Sequence, residues 1–127
     1  MFDYQIQDMY DRLKPGSPHH DAVKANMDRI VGTIPDASAT RREIFNDPWI
    51  SGAERKRRLD EMKDGALRQR IDESIANIQA VRAPIDAQIQ SRLPHRYVSP
   101  AEQAALDNLS LVDAVAYFAK RALNDGH

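Results

Sequence analysis

Cysteine is absent from this sequence of 127 residues. A disulfide scaffold, a zinc site made of thiolates and a cysteine nucleophile are therefore excluded. Aromatic residues make up only 6% of the chain, and no apolar run approaches the ~20 residues that a membrane-spanning helix needs. The amino-terminal residues also lack the basic-then-apolar layout of a signal peptide. We therefore expect no membrane span and a soluble, intracellular protein.

A large excess of charge of either sign is missing too. Lys and Arg total 18, and Asp and Glu total 19, which gives a formal net charge of −1. This balance argues against a general binder of nucleic acid or of anionic membranes. Charged residues still make up 29% of the chain, so few apolar residues are available for the core of a compact monomer. We therefore expect neighbouring chains to cover part of its apolar surface.

Signals for helix starts are clear in this sequence. The segments Ser51–Glu54 and Ser99–Glu102 both match the capping box, in which Ser accepts a bond from the N3 amide and Glu reaches back to the Ser amide. Apolar residues recur every three or four positions after each box, and no alternating strand pattern competes with them. These patterns predict an all-α fold, a helical bundle built around one long helix.

The predicted organisation is a single helical domain over residues 1–127. It has short helices within 1–46, a long helix within 51–92, and C-terminal helices within 99–125.

Within the first part, Ser17 and Pro18 are expected to start the second helix, which is expected to end near Gly32 to Pro35. The segment from Thr40 to Asn46 is expected to form a separate short helix. Its first four residues match a further capping box.

The long helix carries isoleucines seven residues apart, at Ile71, Ile78 and Ile85. Gly65 and Pro84 interrupt its apolar pattern, since both residues disfavour a helix interior. We expect a kink at Pro84 and one bent helix in preference to separate helices, with a break near Gly65 as the alternative.

Candidate protein-interface residues come from the isoleucine ridge of the long helix, from the only tryptophan and from the short first helix. Trp49, the only tryptophan, is either a core residue or an exposed anchor for a partner, because Trp is enriched at interface hot spots. The short first helix docks either on its own chain or on a neighbour. The predicted interface set is Trp49, Ile71, Ile78, Ile85, Phe2 and Ile6.

The densest run of positive charge is Arg55, Lys56, Arg57 and Arg58. One interpretation is a solvated face that nearby acids neutralise through pairs three or four residues apart. The other is a basic patch that binds nucleic acid or an acidic partner.

Residues with catalytic or metal-binding chemistry do not form a recognisable pattern. His19, His20 and Asp21 are adjacent, and neighbouring helical residues point in different directions, so they lack the ligand arrangement of a metal site. No nucleophile and base can be paired. We expect no enzyme activity, no metal and no cofactor.

The segment from Asn46 to Ile78 contains a capped helix start, a Lys/Arg step and a Leu-Asp pair. The residues concerned are Ser51, Glu54, Lys56, Arg57, Leu59, Asp60 and Met62, followed by the helix Arg68–Ile78. This segment resembles a helical module of large polyvalent phage proteins and internal virion (ejection) proteins. The resemblance implies a virion structural or injected protein of a bacteriophage, located in the cytoplasm of the host cell or in the virion, and carries over no catalytic residue. We therefore expect a structural or assembly protein, as a homo-oligomer or within a larger assembly. The alternative is a small regulatory binder that uses residues 55–58 and contacts nucleic acid or an acidic partner.

Overall fold

The structure, a computed structural model, describes residues 3–92 and 94–125. The described residues form an all-α fold, as predicted, with a long bent helical segment in its second half. Phe2, one of the predicted interface residues, lies outside the described residues. The helices are α1 (Asp3–Arg12), α2 (His20–Asn46), α3 (Gly52–Asp64), α4 (Ala66–Gln90) and α5 (Pro100–Asp125).

Helices α2, α4 and α5 form the centre of the bundle. Ion pairs give their directions. Asp36 and Arg29 on α2 pair with Arg70 and Glu73 on α4, respectively, so α4 runs antiparallel to α2. Helix α4 also runs antiparallel to α5. Asp72 pairs with Lys120, whereas Arg82, which comes later in α4, pairs with Asp113, which comes earlier in α5 than Lys120.

Helix α2 is longer than the sequence predicted. It continues through Pro35 to Asn46, so the predicted end near Gly32 to Pro35 and the separate helix after Thr40 are both wrong. The reason is burial: α2 places a stripe of apolar residues in the core on both sides of the proline, and packing outweighs the local penalty. The stripe consists of Val23, Met27, Ile30, Ala37 and Ile44.

The start of α2 also differs from the prediction. Its N-cap is His19, which has a left-handed φ of 63° and makes no capping bond through its side chain. Ser17 does not cap the helix, because its hydroxyl donates to the carbonyl oxygen of Lys14 at 2.7 Å.

The long segment from 52 to 90 bends at Gly65, where the backbone leaves the helical region with φ −92° and ψ −146°. A Cβ atom at this position would lie 3.0 Å from the carbonyl oxygen of Glu61, so a larger residue would crowd the bend. Helix α4 continues through Pro84, which removes only one helical hydrogen bond. The interruption therefore falls at Gly65.

The isoleucine ridge of α4 lies inside the chain's own core. Ile71 and Ile78 are fully buried and Ile85 is 6% exposed, among side chains of α2 and α5. The prediction that these three residues contact other subunits is therefore wrong for the folded chain. The three long helices α2, α4 and α5 enclose the ridge, which the lean composition did not lead us to expect.

The two capping boxes form to different extents. At the start of α5 the box is complete: the Glu102 amide donates to Ser99 Oγ at 3.1 Å, and the Ser99 amide donates to Glu102 Oε1 at 3.0 Å. At the start of α3 only the first bond forms, from the Glu54 amide to Ser51 Oγ at 3.1 Å. The Glu54 carboxylate instead accepts hydrogen bonds from Arg57 and Arg58.

We predict that the free energy of unfolding depends on pH in the acid range, because the capping carboxylate of Glu102 becomes protonated there. Hydrogen bonds from Arg92 and then from the Ser99 amide lower the pKa of Glu102 from 4.5 to about 2. Because the folded pKa is the lower one, the ionised carboxylate stabilises the fold above pH 4.5, and this contribution is lost as the pH falls toward 2.

The variant Glu102→Gln should therefore unfold at a lower temperature than the unmodified protein at pH 7. That difference should shrink between pH 4.5 and pH 2. Thermal unfolding followed by circular dichroism at several pH values measures it, and a difference that persists unchanged at pH 2 would contradict the prediction.

A buried asparagine joins α5 to the loop between α1 and α2. Asn108 is fully buried, and its Oδ1 accepts the Lys14 amide at 2.9 Å. Its Nδ2 donates to the Lys14 carbonyl at 3.3 Å and to Ser17 Oγ at 2.6 Å. One side chain thus satisfies three polar groups of the loop and fixes the position of the loop that joins α1 to α2. We call these three hydrogen bonds the Asn108 clamp.

Candidate protein-interaction surface

The connection between α2 and α3 presents two large aromatic side chains to solvent. Trp49 is 92% exposed, and Phe45, in the last turn of α2, is 54% exposed. We call these two residues the aromatic corner. Of the two interpretations of Trp49 offered by the sequence, the structure agrees with the exposed one. An exposed Trp is unusual because its large apolar surface is normally buried, and such residues mark interaction sites.

The backbone that carries Trp49 is held in place by Asp47. The Asp47 carboxylate accepts the Trp49 amide at 2.9 Å, which forms a tight local turn. Arg55 donates to the Asp47 carbonyl at 3.4 Å, and Arg58 lies 3.5 Å from the Asp47 carboxylate. These contacts tie the corner to α3, so Trp49 projects from a fixed turn.

The basic run is largely paired within the chain. Arg57 donates to Glu54 at 2.8 Å and also pairs with Glu61. Arg58 donates to the same Glu54 at 3.0 Å. Hydrogen bonds from Arg57, and then from Arg58, lower the pKa of Glu54 to about 2, so this acid stays ionised at neutral pH. Three of the four residues thus serve the corner or α3, and Lys56 is the one most open to solvent.

Ile6, also predicted as an interface residue, lies on α1 and is partly buried beside α2. Ile6 is distant in sequence from the aromatic corner and lines a separate groove between α1 and α2. The predicted set is therefore divided among three places: the aromatic corner, the core and this groove.

Phe45 is the residue of the corner that the sequence analysis missed. The predicted short helix from Thr40 to Asn46 also ended beside Phe45, but the residue type did not show that this side chain would be exposed. The available signal was its spacing, because Phe45 precedes Trp49 by four residues across an Asn-Asp-Pro sequence that commonly ends a helix.

Two features are absent from the part of the chain that the structure describes. None of the helices within residues 3–92 and 94–125 is both long and apolar enough to cross a membrane. In the same ranges no three His, Asp or Glu side chains gather in a way that would hold a metal ion.

Comparison with known proteins found no significant match. The chain matches no family model, and it is not significantly similar to any curated protein or solved structure with which it was compared.

Proposed function

We propose that this chain is a non-enzymatic assembly protein that binds a protein partner through the aromatic corner. The observation that carries the proposal is the 92% exposure of Trp49 on a turn fixed by Asp47. Trp contributes strongly to binding when a partner desolvates it, and a fixed position lowers the entropy lost on association.

The surroundings of the corner are those of a protein contact. Trp49 and Phe45 expose apolar surface within four residues of each other, and Asp47 between them contacts Arg55 and Arg58. Protein interfaces commonly combine an apolar centre with a polar rim. Arg57 and Arg58 are paired with Glu54 of their own chain, and the segment from 41 to 58 keeps a net positive charge.

We predict that a photo-crosslinker at the corner captures a specific protein. A benzoylphenylalanine replaces Trp49 in one variant and Gln79, an exposed residue of α4, in a control. In cells that naturally make the protein, illumination should give discrete protein adducts from position 49 that are absent from position 79. Gel electrophoresis and mass spectrometry identify them.

The same adducts from both positions, or none from position 49, would refute the proposal. Competition by unlabelled protein provides a second check. The unmodified chain should suppress the adducts. Trp49→Ala should not suppress them, because it lacks the indole and is otherwise the same chain.

A bacteriophage or virion context stays a prediction that rests on the resemblance of residues 46–78. Nucleic-acid binding through residues 55–58 also stays a prediction, and the pairing of Arg57 and Arg58 with acids does not favour it.

A further inference from the structure

A groove lies between α1 and α2, on a different part of the surface from the aromatic corner. Its volume is about 550 Å³, within the range of pockets that hold ligands, and enough for an aromatic side chain. Apolar groups from both helices line it, namely Ile6, Tyr10, Val31, Ile34 and Pro35. All five lie within helices, yet four of them are only partly buried and Pro35 is exposed.

The groove also contains a hydrogen-bond acceptor that its helix does not use fully. Pro35 has no amide N–H, so the carbonyl of Val31, four residues earlier, lacks its normal helical donor. Val31 and Pro35 both line the groove. An occupant that combines an apolar body with one N–H donor would suit this site.

The groove is formed before anything binds to it. Tyr10 lines the groove, and its hydroxyl donates to Asp28 Oδ1 at 2.5 Å, which fastens α1 to α2. At the end of α1, the Asn108 clamp fixes the loop that leads to α2. Both walls are therefore held by contacts that do not depend on an occupant.

The chain itself carries a side chain with the required chemistry. The indole of Trp49 has a large apolar body and a single N–H donor, and it is the only tryptophan in the sequence. It does not fill the groove of its own chain, since it is 92% exposed.

The charges around the two surfaces are complementary. Residues 41–58 hold six basic and three acidic residues, a net charge of +3. Helix α1, which forms one wall of the groove, holds three Asp and one Arg, a net charge of −2. Opposite charge on two surfaces of one chain favours contact between copies and disfavours contact between like surfaces.

From these observations we infer that Trp49 of one copy docks in the α1–α2 groove of a second copy. The inference rests on the proposed function, because it names a second copy as the partner of the aromatic corner. The aromatic corner and the groove are different surfaces of the chain. Each copy can therefore place its own Trp49 in the groove of one neighbour and accept Trp49 of another neighbour in its own groove.

Two single variants test the two surfaces separately. Trp49→Ala removes the indole and leaves the groove intact. Ser38→Arg places a long cationic side chain on an exposed position of the groove wall and leaves the indole intact. Gln79→Arg, which adds the same side chain at an exposed position of α4, is the matched control.

In sedimentation experiments at low salt, the unmodified chain and Gln79→Arg should self-associate with equal strength. Each of the two surface variants alone should associate at least ~30-fold more weakly, the effect typical of a Trp hot spot. An equimolar mixture of the two should form 1:1 pairs and nothing larger, because only one corner and one groove remain intact.

Fluorescence identifies the contact in that mixture. Trp49→Ala contains no tryptophan, so all the indole emission comes from Trp49 of the Ser38→Arg copies. Adding Trp49→Ala should shift this emission to the blue and protect it from acrylamide. Adding the double variant Trp49→Ala, Ser38→Arg should do neither.

The inference is overturned if the unmodified chain stays monomeric, if Trp49→Ala associates normally, or if the mixture forms no pairs while circular dichroism shows both variants folded. Under those results, crosslinking from position 49 to a different protein would leave the proposed function standing. Absence of any crosslink from position 49 would remove both.

Discussion

The variant Ile78→Asp is expected to leave the chain unfolded. Ile78 is fully buried on α4, between α2 and α5. Removing such a side chain to Ala costs about 2–5 kcal/mol, and Asp adds the cost of a buried carboxylate without a partner. Domains are stable by only ~5–15 kcal/mol, so the folded state is not expected to survive this change.

Circular dichroism and a thermal melt measure the effect of Ile78→Asp. The control is Gln79→Asp, which places the same charge on the next residue of α4, where the side chain is exposed. It should change the free energy of unfolding by less than about 0.5 kcal/mol. A well-folded Ile78→Asp protein that has lost only its ability to associate would restore the interpretation of the ridge as a contact between subunits.

The second large effect is expected from Asn108→Leu. Leu has a similar size but removes the acceptor of the Lys14 amide, while the Lys14 carbonyl keeps the Ser17 hydroxyl and amide as donors. Loss of the partner of a buried polar group costs about 1–3 kcal/mol, so we expect a loss of about 2 kcal/mol. In a chain of this length that loss lowers the unfolding temperature by roughly 6–8 °C.

Urea and thermal unfolding provide the measurement for Asn108→Leu. The matched control is Asn124→Leu, at an exposed position of the same helix, which should be close to neutral. Hydrogen exchange of α1 provides a local readout, because the clamp holds the loop that follows this helix. A cost below 1 kcal/mol would show that water replaces the three hydrogen bonds and that the clamp is dispensable.

The sequence was most informative where a helix is specified by nearby residues. Helical structure within 99–125 was predicted correctly, although more than one helix was expected and the structure has the single helix α5. Its start is specified locally, since Ser99 and Glu102 form a complete capping box. The same reasoning failed at Pro35. A proline is a local signal against a helix, and the burial that overrides it comes from α4 and α5, which are distant in sequence.

The candidate surfaces were only partly predictable for a related reason. Trp49 could be singled out by residue type, but its exposure depends on the turn at Asp47 and on arginines of the next helix. Asn108 gave no local signal at all, because it lies 94 residues from Lys14 in the chain. The groove needed the positions of both α1 and α2, whose meeting depends on that clamp.

The bend at Gly65 divides the long helical segment into two parts that are held in different ways. Helix α4 contributes Ile71, Ile78 and Ile85 to the core, whereas α3 has a single buried residue, Met62. The turn that presents Trp49 is attached to α3 by one partly exposed ion pair, Arg58–Asp47, and by a hydrogen bond from Arg55 to the Asp47 carbonyl. Dissolved ions weaken an exposed ion pair, while apolar burial is little affected. Raised ionic strength is therefore expected to loosen the presentation of the tryptophan more than the packing of the central helices, whose apolar core does not depend on charge.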